Sequence, residues 1–192
     1  MRTSFRLSKP MDVFEIKDAL KSFKILVDSR EQRTDKALKR YESFGAPWER
    51  STLSYGDYTY NVKLPSGRWL LDQEETVKGL CVIERKMNLD ELASCFTHSR
   101  DRFEREFIRA SEQGARIYLL VENANWENLI NGKYRSKFTP NAYLASLLAW
   151  QVRYNLQLYF CKAETSGRLI REILYRDLKE RLERGELDEG LQ

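Results

Sequence analysis

The chain has 192 residues, 42% hydrophobic and 32% charged, enough to bury a full core in one domain without disulfides or a structural metal. Its net charge is +4, and the last ten residues hold four acids against one base, net −3, which leaves +7 on the rest, a balance that suits a polyanionic partner. A single histidine, His98, excludes chemistry that needs two or more, as in His-Asn-His nucleases, two-histidine zinc proteases and two-histidine acid–base ribonucleases.

Met1 to Lys9 is basic but lacks the apolar stretch of a signal peptide, so no export is expected. Three widely spaced cysteines, Cys81, Cys95 and Cys161, form no C-x-x-C pair and point to a reducing cytoplasmic interior. No apolar run approaches the roughly 20 residues of a membrane span. Val13, Phe14, Ile16, Leu20 and Phe23 have helical spacing. We therefore divide the chain into an arm and short helix (1–23), one domain (24–182) and an acidic tail (183–192).

Lys24 to Asp28 reads as the first strand, and Thr34 to Phe44 as a helix capped by Thr34 and closed by Gly45. Strands are expected at about Trp48 to Leu53, Tyr58 to Leu64, Trp69 to Asp72 and Leu80 to Lys86, with Pro65-Ser66-Gly67 as a hairpin turn. This predicts an antiparallel meander that delivers Asp57 and Glu84 to one end. Leu89 to Phe96 and Ser99 to Gln113 read as helices, the second with Phe103, Phe107 and Ala110 on one face. Arg116 to Glu122 is a strand apolar in its middle and expected to be buried. Thr139 and Pro140 open a helix to Tyr154, followed by a strand from Leu156 to Cys161 and a helix from Thr165 to Leu182. Alternation of strands and helices in the second half predicts an α/β fold, a mixed sheet with helices on both sides.

The chemistry concentrates at Ile83-Glu84-Arg85-Lys86-Met87-Asn88-Leu89-Asp90. Side chains alternate along a strand, so Glu84 and Lys86 share a face and set a carboxylate beside a cation. Asp57, brought from a neighbouring strand, would complete a pair of oxygen ligands for Mg²⁺, with Lys86 at the attacking water. Each fragment also has an ordinary reading. Gly56-Asp57 is a common turn dipeptide, and Asp90 could cap the helix from Glu91 to Phe96. Arg102, Arg105 and Arg109 share a helix with Asp101, Glu104 and Glu106 and read as a solvated, ion-paired face. The segment from Asn131 to Phe138, with Lys133, Arg135 and Lys137 among aromatics, has the composition of a nucleic-acid grip and equally of a plain loop. His98 is expected to hydrogen-bond locally. Tyr143, Trp150 and Tyr154 read as core, with a subunit interface as the alternative.

The pattern Gly-Asp-x(n)-Glu-Arg-Lys-x-x-x-Asp resembles the signature of the XPF/ERCC4-type nucleases, a branch of the PD-(D/E)xK restriction-endonuclease-like fold. Asp28-Ser29-Arg30-Glu31 after Ile25-Leu26-Val27, Leu53 to Tyr58, and Tyr118 to Glu122 resemble further family segments in the same order. The resemblance implies a three-layer restriction-endonuclease-like architecture and metal-dependent cleavage of DNA, selective for flaps, forks or branches in repair, recombination or phage replication. It implies Asp57, Glu84 and the Arg85 carbonyl as ligands of Mg²⁺ or Mn²⁺, with Asp28 and Glu31 as further carboxylates and Lys86 on the water. Arg30, Arg85 and Arg100 would hold phosphate or the acidic ligands, although the Asp-Gly that precedes the arginine in relatives is missing before Arg100. The small size is similar to stand-alone bacterial or phage forms. Relatives also pair, so a homodimer or a heteromeric nuclease partner is expected. The alternative is a weakly catalytic DNA-binding or scaffolding subunit, and an RNA target keeps the same chemistry.

Overall fold

A computed structural model describes residues 11–71 and 80–187. The basic arm Met1 to Lys9, Asp72 at the end of a predicted strand, and the last five residues of the acidic tail lie outside the described residues. In chain order the elements are α1 (Val13–Lys21), β1 (Lys24–Asp28), α2 (Asp35–Glu42), β2 (Trp48–Ser51), β3 (Tyr58–Asn61), β4 (Cys81–Lys86) and α3 (Leu89–Thr97). They continue with α4 (Arg100–Glu112), β5 (Arg116–Glu122), α5 (Trp126–Ile130), α6 (Pro140–Tyr154), β6 (Gln157–Cys161) and α7 (Ala163–Glu183).

Local chemistry explains where the helices begin. Asp12 and Glu15 form a capping box at α1, and Thr34 Oγ1 accepts the Ala37 N–H at 3.2 Å to start α2. The five-residue α5 was not expected. Asn125 caps it by accepting the Asn128 N–H at 2.7 Å, but one turn is too short to display helical periodicity.

The strands form one sheet in the order β2-β1-β3-β4-β5-β6. β3 runs antiparallel to both β1 and β4, whereas β1 with β2, β4 with β5, and β5 with β6 are parallel. The predicted meander is therefore corrected at two places. First, β1 lies between β2 and β3, so those two do not pair; the crossover through α2 brings β2 back parallel to the outer edge of β1. At Trp69 there is a single bridge to Lys63 instead of a strand. Backbone bonds from Leu64 N–H to the Arg68 carbonyl and from Leu70 N–H to the Val62 carbonyl, each 2.8 Å, flank the bridge, and at Leu71 the Asn61 side chain continues the pairing: its Oδ1 accepts from Leu71 N–H at 2.9 Å and its Nδ2 donates to the Leu71 carbonyl at 2.9 Å. The Trp69 ring is covered by Lys24 Nζ, 3.7 Å from its centroid.

Helices α1 and α2 pack on α7, which lies against β3, β4 and β5, while α3, α4 and α6 cover the other face. Alanine at position 167 would collide with Ser43 Oγ and the Arg40 carbonyl, so Gly167 is what lets α7 lie directly on α2. Phe23 joins α1 to this layer, its ring 5.4 Å from that of Tyr175 in an edge contact. On the other face Trp150 is fully buried among Phe96, Phe103 and Phe107, with ring centroids 4.7 to 5.2 Å away. Tyr143 and Tyr154 are buried with it, so the aromatic stripe is core, and the alternative reading as a subunit interface falls away. Cys81, Cys95 and Cys161 are free thiols.

Candidate active site

The C-terminal ends of β1, β4 and β5 and the start of β3 meet at one end of the sheet, as their directions require. Gly56 makes the entry to β3 possible. It has φ +72°, and a Cβ there would stand 3.1 Å from Val82 Cβ, so glycine is needed both for the left-handed backbone and for the close approach to β4. Asp57 follows at once, its N–H donating to the Ile83 carbonyl at 2.8 Å and its carbonyl accepting from Asp28 N–H at 2.8 Å. Its carboxylate accepts the Arg85 N–H at 2.7 Å. Asp57 is thus fixed between β1 and β4.

Along β4 the alternation holds as expected. Glu84 and Lys86 face α4, with Lys86 Nζ 2.6 Å from Glu84 Oε1 and 5.0 Å from the Phe103 ring centroid. Arg85 faces α2 and α7. Burial, and then the charge of Glu84, push the Asp57 carboxyl well above its ordinary range, with Lys86 pulling the other way. Burial alone would lower the Lys86 ammonium, but Glu84 and Asp57 outweigh it and raise it. Glu106 of α4 also lines this space, its carboxyl raised by burial and by Glu84, against Arg30. Three carboxyl groups, Asp57, Glu84 and Glu106, thus share this space with a single lysine. Among the described residues no three His, Cys, Asp or Glu side chains converge on one metal position. The donor set is one acidic pair, which fits a hard divalent cation that keeps waters in its shell.

On the opposite face of β4 lies a buried network that the sequence reading missed. Glu122, 2% exposed, receives Arg40 Nε at 2.9 Å and Arg40 Nη2 at 3.2 Å, and Arg85 Nη1 at 3.3 Å. Arg85 Nη2 also reaches Glu31 Oε1 at 3.5 Å. Arg40 donates further to Ser166 Oγ at 3.3 Å and Tyr58 Oη at 3.5 Å. Two arginines and two glutamates thus tie α2, β4 and β5 together behind the acidic pair. The available signals were a glutamate closing an apolar strand and an arginine between the buried Ala37 and Tyr41 of α2.

Other expected site residues have different surroundings. Asp28, 3% exposed, accepts from Arg30 Nε at 2.6 Å and Leu53 N–H at 3.4 Å, so it staples the chain after β1. Arg30 also donates to the Leu53 carbonyl at 2.9 Å. Arg100 lies over Trp150, 6.0 Å from the ring centroid, and it is Arg102 that lines the cleft. Asp90 is not the helix cap: Asn88 is, accepting the Glu91 N–H at 2.9 Å. Asp90 instead accepts the N–H groups of Arg135 at 2.6 Å and Ser136 at 2.9 Å and pins that loop. Lys133, Arg135 and Lys137 do not line the cleft. His98 Nδ1 is 2.9 Å from Thr97 Oγ1, the local bond expected of it. The cleft itself, about 1280 Å³, runs from α2 across Asp57, Glu84 and Lys86 to α4.

A mixed six-stranded sheet between two helical layers, with an acidic pair and a lysine where its central strands end, defines a restriction-endonuclease-like domain. Residues 27–173 match the ERCC4 domain, and the chain belongs to that family. Among solved structures it resembles XPF from Aeropyrum pernix, with a TM-score of 0.53 at 21% identity over 79% of this chain and 59% of that one. It also resembles XPF from Aeropyrum pernix in complex with DNA, with a TM-score of 0.54 at 23% identity over 80% of this chain and 63% of that one. The chain therefore spans about three fifths of the solved chains it matches. No curated protein matches it significantly.

Proposed function

We propose that the chain is a divalent-metal-dependent DNA endonuclease. The observation that carries this reading is the fixed trio of Asp57, Glu84 and Lys86 at the floor of an open cleft. Asp57 and Glu84 would hold Mg²⁺ or Mn²⁺ together with the Arg85 carbonyl. Such an ion lowers the pKa of a bound water and offsets charge on the phosphoryl oxygens. Lys86, at 2.6 Å from Glu84, orients the attacking water and stabilises the developing negative charge. The Arg85 N–H holds the Asp57 carboxylate, and the network behind it keeps that part of β4 in place. Asp28 and Glu31, expected as further ligands, are engaged by Arg30 and Arg85 and serve as supports. Selectivity for flap, fork or branched DNA belongs to the same proposal and is supported by family membership.

The test is incubation of the protein with labelled duplex, flap, fork and single-stranded DNA, with Mg²⁺, Mn²⁺ or EDTA. Metal-dependent cleavage of at least one form supports the proposal. Binding without cleavage of any form favours a scaffolding subunit instead.

Two further results are expected. Lys86→Ala should lower the single-turnover rate by roughly 10²- to 10³-fold, the scale of losing one transition-state donor, while Mn²⁺ affinity stays equal or rises because an internal competitor for Glu84 is gone. A large loss of Mn²⁺ affinity would contradict the role given to Lys86. The second concerns pH. A raised Asp57 carboxyl adds stability that is fully present below the ordinary carboxylate range and is lost as pH rises through the raised value, where charged Asp57 faces charged Glu84. Bound cation reverses that repulsion, so the gain in Tm on adding Mn²⁺ should grow as pH rises through the same window. A gain that does not grow as pH rises above the ordinary carboxylate range would contradict it.

A further inference from the structure

Seven basic side chains line the cleft, and they fall into two groups. Arg30, Arg40, Arg85 and Lys86 are each neutralised by a carboxylate within 4.0 Å. Lys36, Lys39 and Arg102 are exposed and have no ion pair with any of the described residues.

Their placement follows from helix periodicity. On α2 the residues Ala37, Arg40 and Tyr41 are buried, which turns Lys36 and Lys39, three apart and therefore neighbours, outward. On α4 Phe103, Phe107 and Ala110 are buried, and Arg102 points away from them. Helices α2 and α4 lie on opposite faces of the sheet, with Asp57 and Glu84 between them at its end. The acids that share the rim on the α2 and α7 side, Asp35 and Glu164, sit in the first turns of those helices, where the positive end of the helix dipole offsets them.

We infer that Lys36 and Lys39 on one wall and Arg102 on the other contact backbone phosphates of DNA on the two sides of the bond to be cut. The inference rests on the nuclease reading and specifies which residues grip the substrate. A long, hydrated lysine and an unpaired arginine on a rim suit phosphate contacts that carry no base information. The arginines first expected in this role, Arg30 and Arg85, have internal partners, and the loop at 133–137 lies outside the cleft.

The test is fluorescence anisotropy of a labelled DNA duplex in metal-free buffer, from 50 to 200 mM salt, with cleavage measured in parallel in Mn²⁺. For Lys36→Ala/Lys39→Ala the slope of log K against log salt should fall by about 1.8, and for Arg102→Ala by about 0.9, from roughly 0.9 per phosphate on duplex DNA. Affinity near 0.1 M salt should fall on the order of tenfold per contact. Cleavage at sub-saturating DNA should fall in step with the lost affinity in these variants, and Lys133→Ala/Lys137→Ala, outside the cleft, should bind with the wild-type slope. Lys36→Glu/Lys39→Glu should bind more weakly still. All these positions are exposed, so their stability effects stay within about 0.5 kcal/mol. Wild-type affinity and slope in the Lys36/Lys39 and Arg102 variants, with cleavage intact, would overturn the inference and leave the nuclease reading standing. A wild-type protein that neither binds nor cuts DNA would overturn both.

Discussion

Glu84→Ala is expected to abolish the proposed metal-dependent cleavage, with a loss of at least roughly 10³-fold, because on the proposed reading it removes half of the acidic pair that would hold the ion, and the charge beside Lys86. The structure adds a consequence. Glu84 is 7% exposed and its oxygen is 2.6 Å from Lys86 Nζ, so truncation leaves a largely enclosed ammonium without its paired carboxylate, with Asp57 and Glu106 as the acidic groups that remain around it. A stability cost of about 1–3 kcal/mol is expected alongside the lost activity. Glu84→Gln keeps the shape and separates the two effects: it should be equally inactive but closer to wild type in denaturant unfolding. Cleavage within tenfold of wild type in both variants would show that the site has been assigned to the wrong residues.

Glu122→Ala should be the most destabilising single change. It leaves Arg40, 7% exposed, without its carboxylate and takes one of two partners from Arg85. Removing one side of a buried ion pair costs about 3–5 kcal/mol, because the remaining charge is stranded away from water. For a chain of this size that corresponds to a drop in Tm on the order of 6–20 °C. Arg40→Ala should cost less, since Glu122 keeps Arg85. Denaturant unfolding measures both, and a loss below about 1 kcal/mol for Glu122→Ala would mean that water reaches the network and replaces the lost partner.

What could be read in advance was local. The strand Arg116–Glu122 and the helix opening at Pro140 have the expected bounds, and Thr34 caps α2 as its position suggested. Glu84 and Lys86 share a face because period 2 leaves no other arrangement on a strand. What escaped was set by contacts far apart in sequence. Strand β1 lies between β2 and β3 and keeps them from pairing, and where a strand was expected at Trp69 one bridge to Lys63 is joined by backbone hydrogen bonds and by the Asn61 side chain. Arg40 and Glu122 are 82 residues apart, so no window of sequence contains the pair. Which of Arg100 and Arg102 faces the cleft depends on rotation about α4: two residues along a helix turn through about 200°, so Arg100 lies over Trp150 while Arg102 lines the cleft. Arg30 was expected to hold either phosphate or the acidic ligands, and it is paired with Asp28 at the cleft wall.

The central claim is that Asp57 and Glu84 together form one divalent-cation site, and electron paramagnetic resonance of free Mn²⁺ in a titration with the protein tests it most directly. The account predicts saturable binding by the wild type, a loss of at least about tenfold in affinity for Asp57→Asn and for Glu84→Gln, in line with the loss of a charged ligand, and retained binding for Lys86→Ala. Equal Mn²⁺ binding by all four proteins would contradict it.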